Sequence, residues 1–305
     1  MNNTAGPQVI AVLGCTGTVG AEVMRQVATR DCTIRGILRQ APQSYPVPPR
    51  DRPACVSFAL VDHSSEDQLS QAFVGVDAMF LLIGTHPAQV QTESRMIAAA
   101  QRAGVRRIIK LSAPLVTAPA SVEAANWHRA VEAQLAASGL EFCCLRPYAF
   151  MQNWLRNTYT IKRFGTIIGS AGAAPRNYVD CRDVAAIATR LLLSDQMPHT
   201  DAITITGPEV ISNQEMTERI SCVTGATVRC INLSRSEHYR MLITQAQLPE
   251  WLAQHIVELE ELAIRIPEQA TNSVAALLDR APRTMNAFLH EHRSAFMQKN
   301  NPIPI

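Results

Sequence analysis

Three glycines spaced three residues apart, Gly14, Gly17 and Gly20, follow directly on the apolar run Val9-Ile10-Ala11-Val12-Leu13. Such an arrangement carries a buried strand into a helix around a diphosphate. Gly14 permits the tight turn, Gly17 lacks the Cβ that would hold a diphosphate away, and Gly20 lets the next helix lie close to the sheet. The helix expected from about residue 18 to residue 28 aims its unbonded amides and positive dipole end at the phosphates. Thr16, Thr18 and Val19 therefore join the glycines as candidate cofactor contacts. A strand before, a helix after and a second strand within about thirty residues supply the context that the glycine pattern needs.

Which dinucleotide binds is decided at the end of the second strand, where an acidic side chain reads a ribose 2′-hydroxyl and an arginine reads a 2′-phosphate. The strand expected over residues 33–38 ends at Arg39-Gln40, with no acid. Arg39 favours NADP(H), because its planar guanidinium matches phosphate geometry. Arg35 is a competitor whose direction strand alternation leaves open. Asp62, after the third strand, either meets the adenine amino group or is a loop aspartate. Gly84 and Thr85 fall on the same sheet edge, where glycine lets the backbone pass under the cofactor.

The elements that position these residues are short apolar runs alternating with helical stretches, as in a doubly wound parallel sheet. Strands are expected over residues 9–13, 33–38, 55–61, 77–83, 107–111, 142–146 and 202–205. Helices are expected over 65–73, 87–103, 121–138 and 183–193, in addition to the one at 18–28. A proline-rich connection at 42–53 cannot be regular structure. Residues 165–175 are turn-rich, and the chain from Ser212 onward reads as mostly helical, punctuated by prolines at 249, 267 and 282. The fold class is thus α/β, a Rossmann-type sheet with a smaller, mostly helical C-terminal substrate lobe. Residues 1–155, rejoined by 177–206, form the NADP-binding domain, and 156–176 with 207–305 form the lobe.

Composition narrows the function classes. With 305 residues, 47% hydrophobic, 18% charged and a net charge of +2, the chain lacks the basic excess expected of a nucleic-acid partner. The longest clean apolar run, residues 78–83, is a strand's length, and Met1-Asn2-Asn3-Thr4 begins no signal peptide. The expectation is a cytoplasmic protein with a small-molecule substrate and no membrane role; a homodimer is one assembly this allows. Eight cysteines include no C-x-x-C pair, so no metal site is expected and the thiols read as reduced. Cys143 and Cys144 are neighbours in one strand and point to opposite faces, which disfavours a bridge between them.

Several further segments, in order, resemble the NmrA-like branch of the atypical short-chain dehydrogenase/reductases. Beside the glycine motif they are residues 103–112 (Ala-Gly-Val-Arg-Arg-Ile-Ile-Lys-Leu-Ser), 138–142 (Ser-Gly-Leu-Glu-Phe), 145–153 (Leu-Arg-Pro-Tyr-Ala-Phe-Met-Gln-Asn), 178–185 (Tyr-Val-Asp-Cys-Arg-Asp-Val-Ala) and 205–209 (Ile-Thr-Gly-Pro-Glu). The likeness spans nearly the whole chain and is nearest to NADPH-dependent quinone and triphenylmethane reductases and to festuclavine and agroclavine dehydrogenases. It implies an NADP(H)-dependent oxidoreductase that passes hydride to a conjugated acceptor such as a quinone, enone or iminium. The alternatives on the same scaffold are an NADP(H) sensor without turnover and a non-redox cyclase or isomerase.

The chain departs from ordinary short-chain dehydrogenases in lacking their Tyr-x-x-x-Lys pair. Where many relatives place a lysine four residues before a helix glutamate, this chain has His128 before Glu132. His128 is read as a bond to the nicotinamide ribose or a proton donor near neutral pH, or else as a solvent-facing helix residue. Ser112 matches the position of the catalytic serine of ordinary members. Pro147 and Tyr148, at the end of the sixth strand, should lie near the nicotinamide, with Tyr148 a catalytic candidate. Tyr148, Phe150, Met151 and Trp154 either hold a flat aromatic substrate or pack as core beneath the lobe.

Overall fold

The computed structural model describes residues 7–41, 55–114, 119 and 122–297. The proline-rich connection expected at 42–53 and the N-terminal residues 1–4 lie outside them. Two compact units are present: the described residues up to Pro147 with Cys181–Ile205 and Ser273–Arg280, and Tyr148–Asp180 with Thr206–Asn272 and the described residues from Ala281 onward. Among the described residues, no helix is long and apolar enough to cross a membrane.

The first unit is built on seven strands, six of them before Pro147: β1 (Val9–Leu13), β2 (Thr33–Leu38), β3 (Cys55–Leu60), β4 (Ala78–Leu81), β5 (Arg107–Leu111) and β6 (Glu141–Pro147). Between them run α1 (Thr18–Val27), α2 (Glu66–Phe73), α3 (Gln89–Ala103) and α4 (Glu123–Ala137). Every strand pair is parallel, and β10 (Ala202–Ile205) completes the order β10-β6-β5-β4-β1-β2-β3. The inner strands β1, β4 and β5, sandwiched between helical layers, bury nearly every residue, whereas the edge strand β3 stays partly exposed. Ala11 and Leu13 face a core with Met79, Leu81, Phe73 of α2, Met96 of α3 and Val131 of α4. On the other side, α1 packs along α6 (Cys181–Leu193). Local signals set the helix ends: the Ser65 hydroxyl accepts from the Gln68 amide to start α2, and Gly104, at φ +76°, closes α3.

Chain order fixes where a ligand fits. From β1 the chain runs outward through β2 and β3, then crosses back to β4 and proceeds the other way to β5 and β6. The order reverses between β1 and β4, and open α/β sheets bind ligands outside the carboxyl ends of the strands at such a reversal. Later, α10 (Ser273–Leu278) lies on α6, held by Arg190 to the Leu277 carbonyl at 2.6 Å and by Arg280 to the buried Asp183 at 2.8 Å.

The second unit is more irregular than a helical lobe. It contains β7 (Ala149–Phe150), α5 (Thr158–Phe164), β8 (Thr166–Gly169), β9 (Arg176–Val179), β11 (Val210–Ile211), α7 (Asn213–Thr224), β12 (Arg229–Asn232), α8 (Arg235–Thr244), α9 (Glu250–Arg265), α11 (Met285–Glu291) and α12 (Arg293–Phe296). Strands β7, β9 and β11 make a three-stranded sheet, and β8 pairs in parallel with β12. The segment expected as turns at 165–175 thus opens with a strand, whose partner lies sixty residues on. Gly207 is required where it stands, because a Cβ there would meet the Tyr178 carbonyl oxygen at 1.9 Å. Ser170 and His238 converge on Glu260, with the Ser170 amide at 2.7 Å and His238 Nδ1 at 2.8 Å from Oε2.

Candidate functional site

At the sheet reversal the glycine turn is held by contacts that leave no room for side chains. Gly14 has φ +63°, and a Cβ on it would approach the Leu82 carbonyl oxygen, just past β4, to 2.8 Å. A Cβ on Gly20 would come within 2.1 Å of the Gly14 carbonyl oxygen, so α1 starts closer to β1 than any other residue permits. The Gly17 amide closes the turn on the Gly14 carbonyl at 2.9 Å, and no side chain caps α1. The amides of Thr18, Val19 and Gly20 accordingly lack intrahelical acceptors and stand at a positive helix end. Thr16, Gly17 and Thr18 are exposed, while the Val19 side chain is buried, so Val19 offers its backbone alone. Gly84 and Thr85 are exposed on the same edge, and a Cβ on Gly84 would meet nothing within 4 Å.

The two arginines of β2 separate cleanly. Arg35 turns away from the turn and donates to the carbonyls of Ala72 and Val74 at 2.7 and 2.9 Å, where it clamps the end of α2. Arg39 is exposed past the end of β2. Across from it, the Val61 amide bonds the Leu38 carbonyl at 2.8 Å, which carries the loop of Asp62 and His63 alongside. Asp62 accepts from the Ser64 amide and hydroxyl at 2.8 and 2.7 Å, and these bonds hold its carboxyl below the usual range.

Ser112 and His128 are brought together, both buried, with Oγ 3.4 Å from Nδ1. The burial removes the reading of His128 as a solvent-facing residue. Both belong to a polar chain that the sequence reading did not assemble. Ser112 donates to Glu132 at 2.5 Å, and Arg146 bonds the same carboxylate through Nε at 3.1 Å and through its terminal nitrogen. That bond raises the Arg146 pKa further. Gln89 Nε2 approaches the same ring nitrogen of His128, at 3.5 Å from Nδ1, and donates to Glu93 at 3.2 Å, while Glu93 pairs with Lys110. Two signals pointed to this chain. Gln89 and Glu93 are four apart on α3 and share a face, and Lys110 interrupts the apolar strand Ile108-Ile109-Lys110-Leu111 on the face of Ile108. Gln89 Oε1 is buried without a partner among the described residues.

Tyr148, Phe150, Met151 and Trp154 belong to the second unit. Met151 and Trp154 are buried in its core with Ile161, Met216 and Phe288, and Trp154 packs edge-on against Tyr178 at 5.5 Å. For Met151 and Trp154 this burial fits the alternative of core packing. Tyr148 and Phe150 are partly exposed, and burial together with the Glu268 charge raises the Tyr148 pKa.

A doubly wound parallel sheet with a glycine turn at its reversal and an uncapped helix behind that turn defines an open α/β protein of the dinucleotide-binding class. The NmrA-like family matches residues 7–289, and the chain belongs to that family. It is 29% identical to the NAD(P)H azoreductase of Xenophilus azovorans, over 94% of this chain and 99% of the relative. It is 30% identical to the (4-alkanoyl-5-oxo-2,5-dihydrofuran-3-yl)methyl phosphate reductase of Streptomyces griseus, again over 94% and 99%. Among solved structures, the NADPH-dependent quinone oxidoreductase of Escherichia coli in complex with NADPH superposes with a TM-score of 0.78, at 22% identity over 92% of this chain and 99% of that one.

Proposed function

We propose that this protein is an NADP(H)-dependent reductase that delivers hydride to a conjugated small molecule, a quinone, enone or iminium. The observation that carries the reading is the Gly14 turn, pressed against the Leu82 carbonyl at the sheet reversal and followed by an uncapped helix end. The residues present fit the cofactor. The Gly17 turn and the amides of Thr18, Val19 and Gly20 would hold the diphosphate, Arg39 the 2′-phosphate, and Asp62 the adenine edge. In the first unit, Gly84, Thr85, Ser112, His128 and Pro147 would hold the nicotinamide half. Two relatives named as reductases, each spanning nearly the whole chain, support the same class.

NADPH, when bound, supplies a hydride from nicotinamide C4. The protein's part is to orient, to exclude water and to manage one proton. An iminium is complete once it gains hydride, whereas a quinone or enone also takes up a proton. We assign that proton to His128, and its contact with Ser112 supports the assignment. Ser112 directs its hydroxyl proton to Glu132, so its oxygen faces His128 Nδ1 as an acceptor, and Glu132 is in turn fixed by Arg146. Tyr148, with its raised pKa, stays protonated at neutral pH and can steer a polar acceptor by hydrogen bonding. None of the eight cysteines is in a disulfide, which is in keeping with a reducing, cytoplasmic setting. Equilibrium binding of NADPH followed by a panel of quinone, enone and iminium acceptors tests the reading. NADPH oxidation matched by reduced product supports it; tight NADPH binding with no turnover on any acceptor turns it toward a sensor.

A further inference from the structure

Beside Arg39 stands a second group suited to an anion. The parallel register of β2 on β3 pairs Leu38 with Leu60, and the Val61 amide extends that ladder to the Leu38 carbonyl at 2.8 Å. Arg39 and the Asp62-His63 loop therefore leave the sheet side by side at its carboxyl edge. Asp62 is held within its own loop: its carboxylate takes both Ser64 donors, and its amide donates to Gln68 at 2.9 Å. His63 is not held in this way. Its Nε2 is buried and has no hydrogen-bond partner among the described residues.

We propose that His63 is a second ligand of the 2′-phosphate of NADP(H), acting with Arg39, so that the preference for NADPH over NADH strengthens as pH falls through neutrality. The inference rests on the reading that NADP(H) is the cofactor. An imidazolium and a guanidinium side by side repel each other until a dianion lies between them, and a phosphate monoester, with a second pKa near about 6, supplies that charge. In the protein without cofactor, burial and the Arg39 charge hold His63 below its ordinary pKa, against the opposing pull of Asp62. Asp62 in turn feels His63 and Arg95 of α3. A phosphate dianion raises the pKa of His63, so binding takes up protons between the free and bound values. Affinity gained from His63 is lost as pH rises through its bound-state pKa, and below about pH 6 protonation of the phosphate itself offsets the gain.

The test is calorimetric titration of NADPH and NADH into wild type, His63→Gln, His63→Arg and Arg39→Ala at about pH 6 and pH 8, in buffers of different ionisation enthalpy. At the lower pH, His63→Gln should weaken NADPH by about threefold to tenfold, the range of a partly exposed charge-assisted bond, and leave NADH unchanged. Its proton uptake should fall below that of wild type. His63→Arg should keep NADPH affinity at the lower pH and show no weakening as pH rises to about 8, leaving only the titration of the phosphate itself. Unchanged NADH binding also reports that each variant is folded. Wild type that binds NADPH, with His63→Gln matching it in affinity and proton uptake at both pH values, overturns the role of His63 alone. Wild type that binds neither nucleotide, or both equally with Arg39→Ala unaltered, overturns the cofactor assignment and the His63 role together.

Discussion

Lys110 Nζ reaches both oxygens of Glu93, at 2.7 and 2.8 Å, and neither side chain touches solvent. The pair anchors the chain of contacts that runs through Gln89 to His128. Removing one member strands the other charge in the core, which costs about 3–5 kcal/mol. Glu93→Gln and Lys110→Met should each shift urea unfolding by that order. The double variant should lose less than the sum, and a double-mutant cycle without coupling would deny the pair this role.

The glycines divide by what surrounds them. Gly20→Ala drives a methyl to 2.1 Å from the Gly14 carbonyl and should abolish nucleotide binding while lowering stability. Gly84→Ala meets nothing within 4 Å and should leave the melting temperature within about 2 °C. A fall in NADPH affinity of that stable variant, measured by fluorescence titration, would place the cofactor against Gly84.

Arg35, within β2, and Arg39, just past its end, have different tasks. Arg39→Ala should raise the NADPH dissociation constant by about tenfold to a hundredfold and leave NADH nearly unchanged. Arg35→Ala frees the carbonyls of Ala72 and Val74 and should lower stability without altering that ratio. Equal weakening of both nucleotides by Arg39→Ala would remove the 2′-phosphate contact.

In the second unit, Glu260 holds Ser170 and His238 together. Burial alone would push its carboxyl up, but the combined His238 and Ser170 bonds hold it below the ordinary 4.5. A folded-state pKa below the unfolded one stabilises above the unfolded value, and the gain is lost as pH falls through the folded one. Glu260→Gln should cost about 1–3 kcal/mol at neutral pH and flatten the acid limb of the stability curve below about pH 4.5. Parallel acid limbs for wild type and variant would contradict this.

His128 separates acceptors by their need for a proton. His128→Ala should slow quinone turnover by about a hundredfold, the scale of a lost general acid, and affect an iminium acceptor far less. Equal loss on both classes would make the residue a cofactor support.

Much of the first unit was legible because its inner strands are rich in buried apolar residues. β1, β2, β5 and β10 fall on the residues expected for them, and Gly104 stops α3 as glycine there should. β8 and β12 escaped for the opposite reason. Thr166 and Gly169 look like turn residues, Arg229 and Asn232 look like surface, and each segment becomes a strand through a partner distant in sequence. The glycine turn and Arg39 could be read from spacing. Spacing puts Gln89 and Glu93 on one face of α3 but does not tie them or Glu132 to the site, because the contacts of Glu132 with Ser112, Gln89 with His128 and Glu93 with Lys110 depend on how α3 and α4 are laid on β5. Met151 and Trp154 stayed open between two readings, because an apolar run after a candidate site residue looks the same whether it lines a pocket or fills a core.

Hydride transfer is tested most directly with NADPH carrying deuterium at nicotinamide C4, incubated with the purified protein and a quinone or iminium acceptor. For the iminium, mass spectrometry should find the label in the product carbon, and for either acceptor oxidised cofactor should appear in equal amount with a primary isotope effect on turnover. NADPH that binds tightly yet stays labelled and unoxidised with every acceptor would show that the fold holds the cofactor without using it for reduction.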